Sequence, residues 1–259
     1  MPKTQVNQLK RLKLLITGNP GIGKTYFIGT AVDDPRSSPV LLCNFAGNPQ
    51  TVRSKVADDK MVVWNCAGIK EFENILTWLR AGQSACALRD EMGLPDGVNF
   101  QTLAVDTLAE FQRRQAIEIM GPDYAGLTTS KHMEFKDWNL MWARSVNLAR
   151  IVGDPEWPTH VILTVHIKTG EDGIGRTYEP MLYGQSDFEV PGYMPAVAWL
   201  TWTQDLARNL QPKDSTRVLV FTELYRHVNL KEQYEGKLPQ IVGDPTMTKL
   251  LDYLEDEHD

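Results

Sequence analysis

The residues Gly18-Asn19-Pro20-Gly21-Ile22-Gly23-Lys24-Thr25 fit the pattern GxxxxGK[ST] in full, which is the spacing of a phosphate-binding loop. Glycines at 18, 21 and 23 let the backbone wrap with its amides pointing inward. N–H groups and the N-terminus of a following helix then meet phosphate oxygens. Lys24 supplies a point charge for the β- and γ-phosphates. Thr25 offers a hydroxyl to Mg²⁺, a cation that keeps several waters and takes few protein ligands. Tyr26 follows directly and joins Gly18 to Thr25 as a candidate nucleotide contact. The loop predicts binding of ATP with Mg²⁺, and Lys24 is expected to lie exposed in it.

Such a loop needs a carboxylate at the end of a neighbouring strand to hold the metal's water shell. Thr102-Leu103-Ala104-Val105-Asp106 has that form, so Asp106 is the second metal residue beside Thr25; a cap on the next helix is a compatible role. Glu110 is the nearest remaining acid and could orient the attacking water. It also completes Thr107-Leu108-Ala109-Glu110, a capping box in which the Glu side chain returns to the helix N-terminus, so both roles stand. Thr164 and His166 are spaced by two at the end of an apolar run and share a strand face, where they could read the γ-phosphate. For His166, simple solvation at a strand exit is equally consistent. Lys24, Asp106, Glu110 and His166 are thus the candidate catalytic residues.

Positioning these groups takes strands and helices in alternation. Short apolar runs at Lys13–Thr17, Val40–Phe45, Met61–Asn65, Thr102–Asp106 and His160–Val165 read as strands, with helices over Thr25–Ala31, Ile69–Arg80, Thr107–Met120 and Met133–Val152. Phe72, Ile75, Leu76 and Leu79 fall on one helical face and read as core. That alternation predicts an α/β fold with a mostly parallel sheet flanked by helices. After residue 195 the pattern turns strand-rich, with Val197–Thr203, Arg217–Thr222 and Tyr225–Leu230, before a final helix over Met247–Leu254. At 259 residues the chain suits a single domain with a core over about 12–250, a basic segment at 1–11 and an acidic tail at 252–259.

The net charge of −6 argues against a protein that coats nucleic acid over its whole surface, while leaving room for a local basic site. No apolar run is long enough to span a membrane and the first residues are polar, so a cytoplasmic location is expected. Cys43, Cys66 and Cys86 lack metal-ligand spacing and read as reduced small hydrophobes. The stretch Lys168–Arg176 is rich in glycine and reads as a mobile loop leaving the nucleotide edge. Lys168 and Arg176 in that loop are candidate contacts for DNA phosphates, as are Arg113 and Arg114, Lys131 and Lys136, with Tyr124 or Tyr178 for stacking.

With the phosphate loop, Leu103-Ala104-Val105-Asp106-Thr107 and Val161-Ile162-Leu163-Thr164-Val165-His166, the chain resembles the phage-encoded RecA-like single-strand annealing ATPases, over roughly residues 12–250. The resemblance implies a RecA-like P-loop NTPase core, use of ATP and Mg²⁺, single-stranded DNA as ligand, and annealing or strand exchange in homologous recombination. It also implies a homo-oligomer, filament or ring, with a single-strand-binding protein as a further partner. Related proteins often carry an acid after the second strand, where this chain reads Asn44-Phe45-Ala46-Gly47-Asn48. Two other readings remain: a remodeller or helicase loader of AAA+ type, whose loops resemble this one, and a nucleotide-gated DNA-binding module with little hydrolysis. Thr107 directly after Asp106 speaks against the first, because many such ATPases place a catalytic Glu there.

Overall fold

A strand buried on both faces reads as an unbroken apolar run, and Lys13–Gly18 (β1) is buried at every position. Its lone charged side chain, Lys13, donates from Nζ to the carbonyls of Trp157 and Thr159, and burial pushes its pKa down to about 7. The computed structural model describes residues 11–45, 50–56, 60–84, 87–93, 97–121, 132–172, 175–206, 215–222 and 229–256, with backbone alone at 171–172 and 175–176.

From β1 the chain passes through α1 (Lys24–Thr30), β2 (Val40–Asn44), α2 (Arg53–Val56), β3 (Met61–Asn65), α3 (Ile69–Arg80) and α4 (Ala87–Glu91) to β4 (Thr102–Asp106). Helices α5 (Leu108–Met120) and α6 (Phe135–Gly153) lead to β5 (His160–Asp172), which returns as β6 (Gly175–Pro180). The remainder comprises α7 (Ser186–Tyr193), β7 (Ala196–Trp202), α8 (Thr203–Leu206), β8 (Arg217–Val220), β9 (Lys231–Glu232), β10 (Ile241–Gly243) and α9 (Met247–Glu255).

Among the described residues the strands form one sheet in the order β10-β8-β7-β1-β5-β4-β2-β3, with β6 paired to β5 and β9 to β7. The pairs β7·β1, β1·β5, β5·β4, β4·β2 and β2·β3 are parallel, whereas β8, β9 and β10 add antiparallel. Side chains alternate between the two faces. Leu15, Leu41, Leu103 and Leu163 pack with Phe72, Leu79, Phe111 and Val152 of α3, α5 and α6. Leu14, Ile16, Leu42 and Ala104 pack with Phe27, Ile28, Leu250 and Leu254 of α1 and α9 on the other side. The result is the expected α/β architecture, a mostly parallel sheet flanked by helices with a strand-rich C-terminal part.

Strands β3 and β4 and helix α3 have the bounds the sequence predicts; two other expectations are corrected, and a third lies mostly beyond what is described. Lys168–Arg176 is not a loop: β5 continues to Asp172 and pairs with β6, Asp172 facing Gly175. Glycine there answers crowding, since a Cβ at Gly170 would lie 2.6 Å from Oγ1 of its cross-strand partner Thr177. The strand expected over Tyr225–Leu230 falls mostly outside the described residues. Asn229, with φ of 68°, is incompatible with extended backbone, and pairing begins at Lys231. Finally, the acidic segment from 252 is helical to Glu255: Arg36 binds Asp252 and Glu255 at 2.6 Å each, and Lys237 donates to the carbonyls of Leu254 and Asp256.

Candidate nucleotide site

Because β1, β4, β5 and β7 run parallel, their C-terminal ends meet on one edge, and the register sets Gly18 beside His166. Gly18 has no room for a side chain: a Cβ would lie 2.7 Å from the carbonyl oxygen of Leu200 on the adjoining β7. Gly23 precedes α1 with φ of 109°, a conformation that favours glycine. Lys24 opens α1 and is 5% exposed, contrary to the expectation of an exposed side chain. Its ammonium turns back onto the loop, donating to Gly18 O at 2.8 Å and Asn19 O at 2.9 Å, and lies 3.0 Å from His166 Nδ1. Burial pushes its pKa down to about 8, partly offset by the charge of Asp106. Burial and then the Lys24 charge lower the pKa of His166, so its imidazole is neutral at pH 7 and Nδ1 accepts from Lys24.

Asp106 ends β4 almost fully buried, and its two oxygens have separate partners. Thr25 Oγ1 donates to Oδ2 and Thr164 Oγ1 to Oδ1, each at 2.6 Å. The pair Thr25 and Asp106 is a hard oxygen set of the kind that fits Mg²⁺ with most of its waters kept. Among the described residues there is no cluster of three or more His, Cys, Asp or Glu that could hold a metal ion. After a cis Asp106–Thr107 peptide, Thr107 caps α5 by accepting from Glu110 N at 3.3 Å. The Glu110 carboxylate lies 3.6 Å from Arg113, and its charge acts on His166 against the lowering by burial and Lys24. Asn44, at the end of β2, donates its amide to Asn65 Oδ1 at 2.7 Å, while 46–48 lie outside the described residues.

These residues surround a cavity of about 370 Å³ lined by Gly21 to Tyr26, Thr51, Asp106, Thr107, His166, Trp202 and Arg217. Of these, Gly21 to Tyr26, Asp106 and His166 are expected from the sequence, Thr51 and Thr107 are not, and neither are Trp202 and Arg217. Neither carries a motif; they arrive because β7 adjoins β1 and β8 adjoins β7. Arg217 lies against Gly23 and over the ring of Tyr26, 4.6 Å from its centroid. The candidate DNA contacts are spread out. Lys168 is ion-paired with Asp187 at 2.6 Å and Glu179 at 3.6 Å, and its pKa is raised because these partners outweigh the opposing effect of burial. Arg113 and Arg114 are exposed on α5. Lys136 pairs with Glu134 at 2.9 Å, and Tyr178 stacks on Trp199 at 5.7 Å. The side chain of Arg176, and Tyr124 and Lys131 altogether, lie outside what is described. Cys43 and Cys66 are buried free thiols, as expected of small hydrophobes, and Cys86 is outside the described residues.

With the phosphate loop between β1 and α1, and Asp106, Thr164 and His166 on the two strands beyond β1, the fold is that of a RecA-like P-loop NTPase. A family model for the AAA domain matches residues 10–228. No curated protein matches the chain. Among solved structures, one ATPase domain superposes with a TM-score of 0.49 at 10% identity, over 86% of this chain and 78% of that one. A DnaB-like replicative helicase, solved in a study of its interactions with primase, gives 0.47 at 12% identity over 87% and 53%, so the chain spans about half of it. The RadB recombinase gives 0.43 at 12% over 87% and 86%.

Proposed function

Since the chain belongs to the AAA domain family and carries a nucleotide-binding site of ATPase type, we propose that it binds and hydrolyses ATP with Mg²⁺ and uses the γ-phosphate to set its hold on single-stranded DNA, in annealing or strand exchange. The observation that carries this reading is the continuity of β5. The strand runs unbroken from Thr164 and His166, which touch Asp106 and Lys24, into the hairpin with β6. A γ-phosphate that draws Lys24 away from His166 changes the partner of a residue two positions before Lys168 on the same strand.

In this mechanism the loop amides and Lys24 hold the β- and γ-phosphates, and Thr25 with Asp106 would hold the metal, which would supply charge neutralisation at the phosphoryl group. Glu110 orients the attacking water, and His166 reports the γ-phosphate. On the DNA side, Lys168 leaves Asp187 for a backbone phosphate, joined by Arg176 and by Arg113 and Arg114 from α5. Assembly as a filament or ring on the strand, in the cytoplasm and alongside a single-strand-binding protein, completes the reading. No described helix is long and apolar enough to cross a membrane.

A second reading, a nucleotide-gated DNA-binding module with little hydrolysis, is favoured by Asn44, an amide bound to another amide at the end of β2. ATP turnover measured with and without single-stranded DNA separates the two. Stimulation by DNA supports the first; ATP-dependent DNA binding with no turnover supports the second. Failure to bind single-stranded DNA in any nucleotide state would favour a remodeller or helicase loader over both.

A further inference from the structure

The residues assigned to phosphate and metal occupy only part of the cavity. Asp106 and His166 stand on β4 and β5, on one side of β1, whereas Trp202 ends β7 and Arg217 begins β8 on the other side. A triphosphate with its γ-phosphate at Lys24 and His166, and its metal at Thr25 and Asp106, directs its nucleoside away from β4 and β5, toward β7 and β8.

What stands there is a group of planar side chains. The guanidinium carbon of Arg217 lies 4.6 Å from the ring centroid of Tyr26 and 5.6 Å from that of Trp202. Its Nη1 would be 2.6 Å from a Cβ at Gly23, so the group rests on the phosphate loop itself. Tyr26 is 50% exposed, a large ring left half in water beside the loop. Trp202 is half-buried and anchored against the cluster that packs α1 and α9 onto the sheet, so its orientation is fixed. Cation–π attraction holds the three together, with the guanidinium over one face of each ring.

Resting on the nucleotide-site reading above, we infer that Tyr26, Trp202 and Arg217 form the nucleoside end of the site: the base of the bound nucleotide stacks on this platform, and the Arg217 charge acts on the phosphates beside Gly23. The platform is supplied by the same chain that carries the phosphate loop. Stacking uses the π-face that every base has, so it adds affinity for a nucleoside and none for bare phosphate.

The test compares binding of ATP with binding of inorganic tripolyphosphate, each with Mg²⁺, to the full chain and its variants. Trp202→Ala and Tyr26→Ala should each weaken ATP on the order of ten-fold and leave tripolyphosphate unchanged. Trp202→Phe, which keeps a ring in place, should retain most of the ATP affinity. Arg217→Gln should weaken both ligands. Tyr26 is exposed enough that its variant reports on binding even if Trp202→Ala lowers the melting temperature. Equal effects of Trp202→Ala and Tyr26→Ala on the two ligands, or no effect on either, would overturn the platform while leaving the phosphate site intact. Lys24→Ala serves as the control. If it keeps full affinity for both ligands, the nucleotide site itself falls, and the platform with it.

Discussion

Thr164 and Asp106 sit on adjacent parallel strands, and the threonine hydroxyl donates to Asp106 Oδ1 at 2.6 Å while Thr25 holds Oδ2 at the same distance. The carboxylate is therefore fixed from both sides before any metal arrives. Thr164 is fully buried, so Thr164→Val keeps the volume and removes the donor. Losing one such bond costs on the order of 1 kcal/mol, and turnover should fall about five-fold with ATP affinity nearly unchanged. Asp106→Asn should spare much of the binding and abolish Mg²⁺-dependent turnover. Unchanged kcat in Thr164→Val would mean that the hydroxyl does not set the carboxylate's position.

The lowered pKa of Lys24 gives ATP binding a pH dependence. Burial holds the lysine at about 8, and a triphosphate favours its protonated form, so binding takes up a proton once the pH exceeds about 8. Affinity should be level with respect to this group below pH 7 and fall as the pH rises from about 8, by at most about ten-fold per unit. Titrations at pH 7, 8, 9 and 9.5 check this, with Lys24→Arg as a side chain that stays charged throughout. A flat profile in the parent over that range would contradict the assignment.

Glu110→Gln tests catalysis alone, because only the Thr107 half of the expected capping box forms and the Glu110 carboxylate turns to Arg113 instead of the helix N-terminus. Thr107 caps α5 through Glu110 N, a backbone bond that the substitution preserves, so the melting temperature should not move. If the carboxylate orients water, turnover should drop on the order of 10²-fold. Unchanged turnover would leave no catalytic part for Glu110.

The C-terminal helix is expected to be structural. Removing residues 252–259 deletes Leu254, 6% exposed in the core, together with both carboxylates that bind Arg36 from α9. Loss of a buried leucine alone costs about 2 kcal/mol or more, so thermal melting should show a clear drop for the truncated chain. An unchanged melting temperature, with tighter DNA binding at low salt, would restore the picture of a free acidic tail that competes with DNA.

Acid stability checks the packing around β1. His160 accepts from Leu12 N at 2.9 Å through Nδ1, and burial pushes its pKa down to about 3 from 6.5. The unfolded chain therefore binds a proton that the folded one refuses between pH 6.5 and about 3. The contribution of this residue is intact above pH 6.5 and declines as the pH falls, by at most about 1.4 kcal/mol per unit. Denaturant unfolding of the parent and of His160→Gln between pH 7 and 4.5 should show the shallower slope in the variant; equal slopes would exclude His160 as the titrating group.

The parts legible in the sequence were those with a local signature. The phosphate loop is contiguous, Asp106 closes an apolar run, and the helical face of Phe72 and Leu79 repeats at the helical period. Long-range placement was not legible. Trp202 and Arg217 reach the cavity only through the pairing of β7 with β1 and of β8 with β7, which no residue spacing encodes. The β5–β6 hairpin was hidden because Gly170 and its neighbours resemble loop composition, although Thr169, Thr177 and Tyr178 are strand formers and Asp172-Gly173 is a turn signal. Burial of Lys24 was missed because the loop's own carbonyls solvate it.

The measurement that bears most directly on the central claim is single-stranded DNA affinity with ATP, with ADP and without nucleotide, for the parent, Lys24→Ala and His166→Ala. The parent should bind DNA more tightly with ATP than in the other two states. Lys24→Ala should show one low affinity throughout, and His166→Ala should bind ATP yet lose most of the ATP-dependent gain, because the γ-phosphate no longer biases β5. A parent whose DNA affinity is the same in all three states, or absent in all three, would contradict the account.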